Sequence, residues 1–136
     1  MTSNVIKIET PEIGGMTIRY RYEVAGPWSE AFDLSQAFEA EYDIDVSGVP
    51  TGVAMVPLLS NVLPIAWVYD ALIEVPVCDA DFLACLPEIK SGYKDMYPMM
   101  HFGGELRVNT IEKNRQSAKG AVCFFSGGVD AFNTLI

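Results

Sequence analysis

An α+β fold, with a small and mostly antiparallel sheet and two main helices, is what this sequence predicts, and three observations carry the prediction. Residues 16–24 and 38–45 alternate apolar and polar side chains with period two, the pattern of strands with one buried face. Residues 53–68 and 79–96 instead keep apolar residues at helical spacing. The chain of 136 residues is 50% apolar, enough for the core of one domain.

The first element expected is a short strand over 4–9, with Ile6 and Ile8 on one side and Val5 and Lys7 on the other. A turn at 11–15 leads into residues 16–24, expected as one half-buried strand. It has Met16, Ile18, Tyr20, Tyr22 and Val24 on one face and Thr17, Arg19, Arg21 and Glu23 on the other. Gly26-Pro27 breaks that pattern, and residues 28–36 are ambiguous.

Residues 38–45 alternate again, with Phe38, Ala40, Tyr42 and Ile44 inward and Glu39, Glu41, Asp43 and Asp45 outward. A row of carboxylates is more often a solvated face than a site for a divalent metal, and no metal site is assigned. Cross-strand pairs of opposite charge stabilise antiparallel neighbours. The two alternating stretches are therefore expected to pair, with Arg19 or Arg21 near Glu39, Glu41 or Asp43.

A loop over 47–52 precedes a helix over 53–68 that is apolar almost all round and hence central, with Pro57 suited to its first turn and Pro64 expected to kink it. Residues 46–69 contain no charge and are long enough to span a bilayer. Three prolines, Ser60-Asn61 and acidic flanks favour a buried helix over a membrane segment. A strand over 72–77 follows. Asp79 is placed to cap a helix whose Phe82, Leu83, Leu86, Ile89, Tyr93 and Met96 form one apolar face. Pro87 is expected to bend or split that helix, and Tyr97-Pro98 ends it.

His101, the sole histidine, lies in a loop over 99–104 and reads as structural or exposed, since no Ser or Cys in a nucleophile setting adjoins it. A short strand over 105–109 precedes a charged stretch, 112–119, that reads as a solvated linker.

The net charge of -9 is unevenly distributed. From Glu23 to Glu88 there are twelve acidic residues and no Lys or Arg, whereas 90–136 holds six bases against four acids. Such a surface repels phosphate backbones, so this part of the chain is not expected to bind nucleic acid. Cys78, Cys85 and Cys123 lack metal-ligand spacing and read as free thiols in a reducing compartment. No secretory leader pattern opens the sequence, and a cytoplasmic location is expected.

The chemistry-bearing motif lies near the end. Residues 121–125, Ala-Val-Cys-Phe-Phe, are apolar throughout and read as a strand buried on both faces that runs into Ser126-Gly127-Gly128-Val129-Asp130. Two glycines allow a tight turn whose N–H groups converge, and a helix N-terminus beneath adds partial positive charge for an anion. These residues resemble the Ser-Gly-Gly-x-Asp signature of the PP-loop ATP pyrophosphatase superfamily, which includes adenylating enzymes such as 7-cyano-7-deazaguanine synthase and tRNA-thiolating ligases. The likeness spans about a dozen residues.

The resemblance implies that Ser126, Gly127, Gly128, Val129 and Asp130 grip the pyrophosphate of ATP, bound with Mg2+. It further implies that a substrate oxygen attacks the α-phosphorus, forming an adenylate that an amine, ammonia or sulfur donor displaces. The family continues with Ser or Thr where this chain has Ala131. One hydrogen bond to a charged group is worth about 1.5–3 kcal/mol, so its absence implies roughly ten- to a hundredfold weaker nucleotide binding.

The expected organisation is an accessory α+β domain over 1–111, the linker over 112–119, and over 120–136 the first strand and phosphate loop of an α/β PP-loop domain whose remainder these residues do not include. The 136 residues alone are accordingly expected to be inactive and to bind Mg-ATP no tighter than millimolar, with the remaining ATPase domain as partner. Catalytic residues are not identifiable. The competing reading is a non-catalytic binding or dimerisation module, suggested by the acidic face and the lack of a catalytic constellation in 1–111.

Overall fold

The computed structural model describes residues 3–114, an α+β unit of two sheets and three α-helices. Strand β1 (Val5–Ile8) buries Ile6 and Ile8, as the alternation requires. Strands β2 (Glu12–Gly14) and β3 (Thr17–Tyr20) form a hairpin in which Gly14 pairs with Thr17. The two-residue loop at Gly15-Met16 is possible because Gly15 has φ +59°, a conformation glycine adopts without steric cost. Part of the expected turn over 11–15 is thus a strand.

The expected single strand over 16–24 is two strands in two sheets. Strand β3 pairs with β2 and with β5 (Phe38–Glu41) in a three-stranded antiparallel sheet. After Arg21 the chain enters β4 (Tyr22–Ala25), which pairs antiparallel with β1 at the edge of a second, four-stranded sheet. Period two persists through the switch, with Ile18 and Tyr20 buried and Tyr22 and Val24 half-buried. Alternation records which face is buried and is blind to a change of partner strand. Met16, placed inward from sequence, is exposed, and so is Ile44, which lies beyond the end of β5.

The pairing of β3 with β5 is as expected. Arg19 stands opposite Glu39, and its Nε lies 2.9 Å from the carboxylate. Arg21 instead pairs with Glu12 at 2.7 Å. A short 3-10 helix (Pro27–Ala31) resolves the ambiguous stretch, burying Trp28 completely while its indole N–H donates to the carbonyls of Ala25 and Val5.

Helices α1 (Thr51–Ala54) and α2 (Val56–Val68) replace the single helix expected over 53–68. They meet at Met55 because Pro57 has no N–H to bond the carbonyl of Val53, and proline suits the first turn of a new helix. Helix α2 runs through Pro64; the carbonyl this leaves without its helical donor belongs to exposed Ser60. Its buried residues, Leu58, Leu59, Val62, Leu63, Ala66 and Trp67, line one face, while Val68 is exposed. It is thus one-sided rather than apolar-packed all round. No helix among the described residues is long and apolar enough to cross a membrane.

Strand β6 (Leu72–Asp79) leads directly into α3 (Ala80–Met96), which continues through Pro87, and then β7 (Glu105–Glu112). Strand β6 pairs parallel with both β1 and β7, so the four-stranded sheet is mixed, although three of the five strand pairings are antiparallel. In helix α3 only Leu86 is buried; Ile89 and Met96, expected on its buried face, are exposed.

One face of the four-stranded sheet, with Ile6, Ile8, Ile73, Val75 and Val77, faces the core. Its other face carries a register row of alternating charge, Glu23, Lys7, Glu74 and Arg107, one from each strand.

Candidate functional site

The residues assigned to ATP from sequence, Ser126, Gly127, Gly128, Val129 and Asp130, lie outside the described residues, as do the strand expected over 121–125, Cys123, Ala131 and most of the linker. What the structure describes is the place from which the chain sets out toward them. Strand β7 extends to Glu112, three residues beyond its expected end, so the first residue assigned to the linker belongs to the sheet.

That exit lies at the carboxyl ends of the parallel strands β6 and β7, where α/β sheets commonly place ligands. Asp79 ends β6 and caps α3, as its sequence position predicts. Its Oδ1 accepts the amides of Asp81 and Phe82, each at 3.0 Å. Its Oδ2 accepts from the side-chain amide of Asn114 at 2.9 Å. Next to it, the amide of Gly52 in α1 donates to Glu112 Oε2 at 2.8 Å. A Cβ at Gly52 would be crowded: it would meet Glu112 Oε2 at 2.8 Å, so that carboxylate would have to move, and the backbone of Asp79 and Cys78 at 3.0 and 3.1 Å.

Asp79 is the one buried charged residue among those described. The Asn114 side chain and the amides of Phe82 and Asp81 hold its carboxyl below the usual range, against the opposing pull of burial. Cys78 beside it is fully buried, and burial with the neighbouring Asp79 charge pushes its thiol up to about 11. It is protonated at neutral pH and is no nucleophile. Cys78 and Cys85 are both free.

Other sequence candidates are dispersed. Glu39 is paired with Arg19, and Asp45 accepts the amide of Ser47 at 2.9 Å. No group of carboxylates, cysteines and histidine among the described residues is placed to hold a metal ion. His101 is exposed. Lys90 was not singled out from sequence. Its ammonium donates to the carbonyls of Gly103 and Gly104 and lies 5.6 Å from the centre of the Trp67 ring, which anchors the loop before β7 to α3. Burial pulls its pKa down, with Lys94 adding to the effect.

On the charged outer face of the four-stranded sheet, an open groove of about 690 Å³ is lined by Lys7, Glu23, Glu74 and Asn109 among others. It carries carboxylates and an ammonium already arranged with opposite charges in neighbouring strands. No family model, no curated protein and no solved structure matches this chain.

Proposed function

We propose that this chain is the N-terminal part of a PP-loop ATP-pyrophosphatase-like protein that adenylates its substrate with Mg-ATP. In this reading Ser126, Gly127, Gly128, Val129 and Asp130 hold the pyrophosphate, and the sheet and helices of 3–114 form an accessory domain in the cytoplasm. One observation carries the reading: a Ser-Gly-Gly-x-Asp run directly follows five apolar residues, the strand-to-loop arrangement that turns backbone amides toward an anion. Catalysis would then be positioning and charge stabilisation at the α-phosphorus. The acidic surface of the accessory domain argues against a nucleic-acid substrate bound by this region.

Calorimetric titration of Mg-ATP, on the protein carried through whatever coding sequence follows Ile136, tests this. Binding that weakens at least tenfold in both Gly128→Ala and Asp130→Ala is expected. Binding indifferent to both substitutions would remove the assignment.

A second reading, a binding or dimerisation module, draws on a different observation. Met96, Tyr97, Met99 and Met100 are all exposed where α3 gives way to the following loop, Met99 at 96%. Apolar, methionine-rich surfaces adapt well to partners. Sedimentation across a concentration series separates the readings, because only the module reading requires an association that Met99→Ser and Met100→Ser abolish.

A further inference from the structure

The corner where the chain leaves the described domain carries an inference that stands whether or not the loop over 126–130 binds nucleotide. We infer that Glu112 and Asn114 act together as a clasp, coupling the chain leaving β7 to the start of α1 and to the cap of α3, so that the exit opens and closes as one unit. Four features support this.

The two contacts come from residues two apart on the exiting chain and reach two different helices. Glu112 takes the Gly52 amide at 2.8 Å, and Asn114 gives its amide to Asp79 Oδ2 at 2.9 Å. Asp79 divides its carboxylate, with Oδ1 committed to the helix amides and Oδ2 left for Asn114. Capping α3 therefore does not require the exit, while the exit uses what capping leaves over. Gly52 leaves room for the Glu112 carboxylate where it stands, since a Cβ would lie 2.8 Å from Oε2 and displace it. Finally, Asp79 and Glu112 are register partners on β6 and β7, so the sheet brings the two halves of the clasp side by side. Contacts made two residues apart on one backbone can couple through a shared backbone shift.

The consequence is mechanical. Displacement of the segment that follows Asn114 withdraws a partner from Asp79 and, through Glu112, one from α1. In the reverse direction, a shift of α1 or of the β6–α3 junction loosens the exit. The chain leaving β7 is therefore held to the body at two points, Gly52 and Asp79.

Amide hydrogen exchange of the Gly52 N–H, read by NMR on the full chain, tests the clasp. Asn114 does not bond Gly52, so independent contacts leave Gly52 exchange unchanged in Asn114→Ala. The clasp instead predicts acceleration of about tenfold at Gly52, within the range of coupling through a shared backbone shift, with the Ile73 and Val75 amides of the central strand unaffected. Asn114→Asp, which sets a carboxylate against Asp79, should accelerate Gly52 further. Unchanged Gly52 exchange in both variants overturns the inference, and so does equal acceleration at Gly52, Ile73 and Val75, which would mark general destabilisation in place of a local opening.

Discussion

Replacing Asp79 by Ala removes the acceptor of two helix amides and the partner of Asn114 in a single step. Loss of a good N-cap costs typically about 1 kcal/mol, within a range of roughly 0.5–2. The bond from Asn114 to the Asp79 carboxylate is part-buried, and a hydrogen bond to a charged group adds about 1.5–3 kcal/mol. The expected destabilisation is therefore about 2.5–4 kcal/mol, or roughly 10–32 °C in Tm if each kcal/mol shifts a domain of this size by about 4–8 °C.

Urea denaturation measures it, as a lower midpoint at unchanged slope. Asp79→Asn should keep the cap, because asparagine caps as well as aspartate, and should lose only the Asn114 contact. The pH dependence carries an independent sign. Hydrogen bonding from Asn114 and from the Phe82 and Asp81 amides lowers the folded pKa of Asp79. Its contribution is then complete above the unfolded carboxylate value of about 3.9 and is lost as pH falls through the lower folded value. The gap between the native protein and Asp79→Ala should be constant between about pH 5 and 7 and narrow below about pH 4. A cost under about 0.5 kcal/mol, or a gap that stays constant on acidification, would refute the capping account.

The thiols should react in two classes. In Cys123→Ser, an aromatic disulfide reagent at pH 8 should modify exposed Cys85 at once, and Cys78, buried with its thiol pushed up to about 11, only as fast as the domain opens. Equal rates would contradict the burial. The Tyr20 hydroxyl is buried, with its pKa raised to about 12 by burial and by Tyr42, and it donates to the carbonyl of Ala54 at the end of α1. Tyr20→Phe should cost about 1–2 kcal/mol by urea denaturation; a neutral substitution would show that this bond does not anchor α1.

Contacts between neighbours in a period were legible in the sequence, and contacts between remote elements were not. The Arg19–Glu39 pair could be read because two alternating strands with complementary polar faces have few other ways to meet. The role of Asp79 as cap was equally readable, since a cap is a local geometry. The switch of sheets at Arg21 left no trace, because both strands bury the same face of the repeating pattern. Ile89 and Met96 fit a helical stripe yet are exposed, since spacing identifies a possible buried face and not how much of it a neighbour covers. The Gly52–Glu112 contact joins residues 60 positions apart. Gly52 stood in an expected loop, where glycine has many uses. Residues 126–130 were assigned to a phosphate loop by motif alone and lie outside the described residues.

The bare outer face of the four-stranded sheet follows from strand order. In the order β4-β1-β6-β7, the chain moves from β1 to β6 to β7 in one direction, and both steps are parallel. Parallel crossovers are right-handed almost without exception, so two successive steps in the same direction lay their connections on the same face. Helices α1, α2 and α3 all contact β6. The other side needs polar cover, and the row Glu23, Lys7, Glu74, Arg107 supplies it, with Arg107 2.8 Å from Glu74. Each exposed pair stabilises by little, about 0–1 kcal/mol. Their alternation matters more for register, because a slip by one residue would turn the charged row into the core. The same topology bears on chemistry. A ligand crevice at the carboxyl ends of parallel strands forms where the strand order reverses and adjacent connections diverge to opposite faces. Among the described residues the parallel run does not reverse. The carboxyl ends of β6 and β7 carry instead the hydrogen bonds from Gly52 to Glu112 and from Asn114 to Asp79, which fill the place a crevice would need.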